Sequence, residues 1–197
     1  PFEFSGIRTY RRQDPMNHIN WKASARSGEL MVNQFDSTTS ILLTLIFDLE
    51  DPLILKYEDL VEETIRITSS LAARLVKMNM PFYVKSNVTD ASASSAFSMY
   101  IAAGAGNMTE LNQKLACIDS RVCSLPTREL LLAERSLKRS DHIYLFISKN
   151  RDAELTQLLL SLIGTGNQIL WVLPVRAQDH SPELIHDPRI TVIHWEL

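Results

Sequence analysis

The chain has 197 residues, 45% hydrophobic and 22% charged, which fits one globular domain or one domain with an ordered extension and excludes a disordered chain. A formal net charge of -3 and a pI near 6.0 give no overall attraction to nucleic acid or anionic lipid. Two cysteines, Cys117 and Cys123, outside any CxxC pattern read as reduced, partly buried thiols, and no apolar run reaches the ~18 residues of a membrane helix.

The first 36 residues are too polar and irregular for a core, yet too rich in Trp, Tyr and charge pairs for a loose leader. Arg8, Arg11, Arg12, Lys22 and Arg26 interleave with Tyr10 and Trp21; against Glu3, Asp14, Glu29 and Asp36 the balance is 5 − 4 = +1. Cations so matched indicate internal ion pairs rather than a phosphate-binding stripe. Around Leu30 and Val32 an alternating pattern predicts a short strand leading inward.

Further on, short apolar strands alternate with helix-length segments. Ser40–Phe47 is apolar on both faces, as a central strand covered by helices would be. Leu60, Thr64, Ile67, Leu71, Leu75 and Met78 recur every three to four residues, which predicts a helix over Tyr57–Asn79. Pro81–Val88 and Ala96–Ile101 read as a strand pair, with the polar run Thr89–Ser95 turning the chain as in a hairpin. A helix capped by Thr109 runs to about Ile118, and another from Pro126 to about Leu137. His142–Ser148 is a buried strand, Asp152–Ile163 a helix, and Gln168–Val175 and Ile190–Glu196 are closing strands. The order β-α-β-β-α-α-β-α-β-β predicts an α/β fold with a doubly wound, mostly parallel, Rossmann-like sheet and one antiparallel strand near an edge. The expected division is an irregular extension at 1–36 and a domain at 37–197. Ligands of such sheets bind beyond the carboxyl ends of the strands, here expected at Asp48–Pro52, Ser148–Asn150 and Gly104–Thr109.

Gly6–Asp36 closely resembles the signature of the domain of unknown function 58 family. The matching residues are Arg8, Tyr10, Asp14, Pro15, Ile19, the run Trp21-Lys22-Ala23-Ser24-Ala25-Arg26, then Leu30, Val32, Phe35 and Asp36. Gln13 and Asn17-His18 depart from the pattern. The remainder is similar to the von Willebrand factor type A-like body that follows the signature. The resemblance implies a soluble, cytoplasmic portion of a membrane-anchored protein, with no direct membrane contact by this segment. It also implies a partnership with a MoxR-type AAA+ ATPase in assembly or maturation of other proteins, with no established catalysis. A chain opening at Pro1 fits a trimmed start or an excerpt.

Metal-binding type A domains hold a divalent ion with Asp-x-Ser-x-Ser after the first strand, completed by a Thr and an Asp from later loops. Here the run is Asp48-Leu49-Glu50-Asp51-Pro52. Asp48 matches the first ligand, Glu50 and Pro52 replace both serines, and Lys149 would oppose a cation, so the site reads as degenerate and the chain as cofactor-free. Gly104-Ala105-Gly106 lacks the third glycine of a dinucleotide loop. Asp179, His180, Glu183, His186 and Asp187 read as an exposed acidic loop with incidental histidines. Nothing resembles a poised acid–base pair, and a hydrolase using Asp48 or His142 is the weakest reading.

Two readings of the signature stand. Arg8, Asp14 and Arg26 form a buried ion-pair network with Trp21 as packing anchor, or Trp21, Lys22 and Arg26 face a partner. The leading expectation is a non-enzymatic protein-interaction module; the alternative is a Mg²⁺-dependent ligand-binding domain using Asp48 and Glu50.

Overall fold

The computed structural model describes residues 2–11, 14, 16–37, 43–50, 57–89, 95–104, 107–119, 123–164, 166–176 and 189–197. They fall into two compact units, Pro1–Ser40 and Ile41–Leu197.

The first unit is more regular than its composition predicts. Strands β1 (Phe2–Thr9) and β2 (Met31–Ser37) pair antiparallel, with a register shift between Phe4 and Gly6. Between them lie a 3-10 turn, Met16–His18, and helix α1 (Trp21–Ser27). Asn20 starts α1 by accepting the Ala23 N–H at 2.9 Å, and Gly28, left-handed at φ 77, ends it with its N–H on the Ser24 carbonyl. Ser24 fastens the helix to β2: its hydroxyl accepts the Met31 N–H at 2.9 Å and donates to the Asn20 carbonyl at 2.8 Å. Ile19 and Val32 are buried and face each other in an isolated antiparallel bridge. The expected irregular extension is therefore a strand pair carrying a helix. Long polar sequence separates the two strands, so no tight-turn signal announces their pairing.

The second unit is a six-stranded sheet in the order β5-β4-β3-β6-β7-β8. Its strands are β3 (Leu43–Phe47), β4 (Phe82–Thr89), β5 (Ala96–Ile101), β6 (Ile143–Ile147), β7 (Gln168–Val175) and β8 (Ile190–Glu196). All neighbours run parallel except β5, antiparallel to β4 at one edge. The helices are α2 (Glu58–Lys77), α3 (Met108–Ala116), α4 (Thr127–Ser136) and α5 (Ala153–Leu162).

Strand periodicity sorts side chains between two cores. Leu43, Leu45 and Phe47 pack with α2 and α3 residues such as Ile67, Leu75 and Leu111. Ile46, Phe146 and Trp171 pack with α4 and α5 through Leu131, Leu155 and Leu159. The result is a mostly parallel, Rossmann-like α/β sheet with helices on both faces. Glu58 and Asp59 open α2, and Arg74 and Lys77 close it, each sign matching the helix dipole.

Several expectations shift. Asn107 rather than Thr109 precedes α3. Both cysteines are free and exposed, not partly buried: Cys117 caps the C-terminus of α3, and Cys123 forms an isolated antiparallel bridge to Val88 of β4. Asp51, Pro52, Ala105, Gly106 and the Asp179–Asp187 cluster lie outside the described residues. Among the described residues no helix is long and apolar enough to cross a membrane.

Candidate functional site

The sheet grows from β3 in both directions, so its winding reverses between β3 and β6. In register, Phe47 sits opposite Ile147, which sets Asp48 and Ser148 side by side at the carboxyl edge. Asp48 is only 1% exposed, and a carboxylate so placed must find donors. It finds five. Its Oδ1 accepts from the Thr127 hydroxyl at 2.6 Å, the Glu50 N–H at 2.8 Å and the Asn87 amide at 3.0 Å. Its Oδ2 accepts from the Ser148 hydroxyl at 2.7 Å and the Asn150 amide at 2.8 Å.

Backbone groups fix these donors in turn. The Asn87 Oδ1 accepts the Leu49 N–H at 3.1 Å, so its NH₂ must face Asp48. The Asn150 NH₂ also donates to the Glu50 carbonyl at 2.8 Å, which orients that amide likewise. Glu50 has a separate task. Proline at position 126, ahead of α4, offers no capping oxygen, and Glu50 Oε2 supplies one from another loop by accepting the Thr127 N–H at 2.8 Å. The Lys149 ammonium donates to the Glu50 carbonyl at 3.3 Å.

This donor set does not fit a divalent cation. Two amide N–H groups and a backbone N–H point at the one carboxylate that would lead the coordination, and an ammonium stands nearby. Asp48 and Glu50 are instead parts of a polar lock. Beside them opens a cleft of about 320 Å³, walled by Asp48, Glu50, Thr127 and Asn150 and by Asp152 and Leu155 of the α5 start.

His142 cannot join Asp48 in catalysis. It precedes β6 at the opposite end of the sheet, six residues along the strand direction, roughly 20 Å at ~3.3 Å per residue. Its Nε2 lies 2.8 Å from the Thr44 hydroxyl, and burial, aided by Arg139 and Lys85, lowers its pKa to about 4. Nor does the Gly104–Thr109 loop belong to this edge. Strand β5 is antiparallel, and its end at Ile101 is level with Phe82 at the start of β4.

In the first unit the signature residues divide. Arg8 grips Asp14 with two bonds of 2.7 Å, and Asp14 also accepts the Arg11 N–H at 2.7 Å. The Arg8 guanidinium first, then that N–H, lower the Asp14 pKa to about 2. Tyr10 joins the frame through its backbone N–H to the Leu30 carbonyl, 2.8 Å. Arg26 is no member of the network; it is exposed, as is Lys22. Trp21 is 66% exposed and is not a buried anchor of its own unit. No residue of α1 is buried, because Ser24, not the tryptophan, holds the helix.

No family model matches the chain, and no curated protein matches it.

Sequence reading missed Asn87 and Thr127, the two residues that complete the lock. Thr127 carried a signal, standing directly after Pro126 at a helix start. Asn87, a buried amide at the end of a parallel strand next to the first, carried one too.

Proposed function

We propose that the chain is a non-enzymatic protein-interaction module of the domain of unknown function 58 type, with a von Willebrand factor type A-like body. In this reading it works beside a MoxR-type AAA+ ATPase in assembly or maturation of other proteins, as the cytoplasmic part of a membrane-anchored protein. One observation carries the reading: Asp48, at the position where a type A domain would lead its metal site, spends both oxygens on protein donors. The carboxyl edge is then a rigid shaped cleft rather than a chemical centre. Further support comes from Trp21, Lys22 and Arg26, which the fold of their own unit does not use and which are residue types that anchor interfaces.

The test is co-purification of the chain with a MoxR-type AAA+ ATPase, in Mg²⁺ and in EDTA with the nucleotide state of the ATPase held constant. The reading expects capture that survives chelation and is lost in Trp21→Ala and Arg26→Glu. Absence of capture, together with no effect on ATP turnover, would overturn it. The Mg²⁺-dependent alternative is favoured by no contact among the described residues of the site and would require capture to vanish in EDTA.

A further inference from the structure

A second cavity, of about 350 Å³, lies at the other end of the sheet, between the last turns of α4 and α5 and the start of β6. Glu134 of α4 lines it and is 2% exposed. One carboxylate oxygen holds the Lys85 ammonium; the other, Oε2, is buried without a hydrogen-bond partner among the described residues. Native proteins pair nearly all such atoms, so an unpaired acceptor on a residue that lines a cavity marks a place for a donor from outside.

The rest of the wall has the opposite sign. Arg135, Lys138 and Arg139 line the cavity with Glu134, a balance of 3 − 1 = +2. Neither Arg135 nor Lys138 has an ion-pair partner among the described residues. Arg139 is held in place, its guanidinium 5.2 Å from the Tyr83 ring centre. The loop that presents these cations is fixed and strained. Lys138 and Asp141 adopt left-handed φ of 47° and 51°, and Asn167 ties the loop by donating to the Arg139 carbonyl at 2.8 Å and accepting the His142 N–H at 2.9 Å.

A proton-free inorganic anion such as sulfate would meet the cations but also the Glu134 charge and would leave Oε2 without a donor, and inorganic phosphate, which can donate a P–OH, would fill little of a cavity of about 350 Å³. A neutral polyol would leave the cations unused. We propose that this cavity binds a hydroxylated organic phosphate, of mononucleotide size or smaller, with its phosphate at Arg135, Lys138 and Arg139 and a hydroxyl or amine donated to Glu134. The site is independent of the carboxyl-edge cleft and of any protein partner there.

Calorimetric titration of the full chain with AMP, GMP, ribose 5-phosphate, adenosine and inorganic phosphate tests it. At least one of the three organic phosphates should bind about tenfold or more tighter than inorganic phosphate and than adenosine. Lys138→Glu, at the rim and away from Lys85, should weaken that binding about tenfold while leaving the circular dichroism unchanged. Glu134→Gln should weaken the organic phosphate, whose hydroxyl or amine loses its carboxylate acceptor; if that variant unfolds, Lys138→Glu and Arg135→Glu decide. No binding by the three organic phosphates at millimolar concentration, equal binding of inorganic phosphate, or affinity indifferent to Lys138→Glu would overturn the proposal.

Discussion

Replacing Asp48 by alanine removes the acceptor of five donors at once, and the structure says which of them have somewhere else to go. The Asn87 amide keeps the Thr127 hydroxyl oxygen at 3.1 Å, and the Asn150 amide keeps the Glu50 carbonyl at 2.8 Å. Thr127 Oγ1, Ser148 Oγ and the Glu50 N–H lose their best acceptor; Ser148 retains only a long 3.5 Å contact with the Asn150 carbonyl. Three stranded donors at about 1–2 kcal/mol each, the Glu50 group discounted for its partial exposure, give a loss of about 3–5 kcal/mol. Asp48→Asn keeps one oxygen and the volume, and should lose about half as much. Urea unfolding followed by far-ultraviolet circular dichroism measures both, and a domain of this size has about 5–15 kcal/mol to lose. A cost below about 1 kcal/mol for Asp48→Ala, or a gain, would refute the reasoning, since relief of a buried charge would then outweigh the lost bonds.

Three further outcomes follow from the same contacts. His142 titrates at about 4 in the fold against 6.5 in the open chain, so the unfolded state binds the proton first; stability should decline as pH drops from about 6.5 to about 4, by at most about 3 kcal/mol, and His142→Gln should flatten that slope in pH-dependent denaturation. Asp14 should titrate near 2 by carboxyl-carbon NMR and return toward 3.8 in Arg8→Ala; because its folded pKa is depressed, its contribution is full above about 4 and fades as pH falls through 2. Trp171, 1% exposed, should cost about 3–5 kcal/mol when cut to alanine, whereas Trp21→Ala should stay within about 0.5 kcal/mol in the same denaturation experiment.

The sheet was legible because its signals are periodic and redundant. Leu43–Phe47 and Ile143–Ile147 bury almost every residue, and continuous apolar runs have few other solutions. Helix α2 announced itself through a stripe from Leu60 to Leu75. The first unit hid for the converse reason: β1 and β2 pair across more than twenty residues of polar chain, and α1 buries nothing, so neither register nor amphipathicity marks them. Asp48 stood out by its place after the first core strand, but its partners come from positions 87, 127, 148 and 150, contributed by three other elements. The strand order placed Ser148 and Asn150 at that edge, but linear spacing did not bring Asn87 and Thr127 to the same carboxylate. Arg8 and Asp14 are close enough in sequence to be read as a pair; the exposure of Trp21 and Arg26 depends on Ser24 doing the fastening, which only the fold shows.

Mn²⁺ titration monitored by electron paramagnetic resonance tests most directly whether the Asp48 carboxylate is committed to protein donors, because free aqueous Mn²⁺ gives a signal that protein binding suppresses. With both Asp48 oxygens committed to protein donors, the free-ion signal should match that of buffer through millimolar Mn²⁺, in the wild type and in Asp48→Ala alike. Stoichiometric loss of signal in the wild type that disappears in Asp48→Ala would contradict the account.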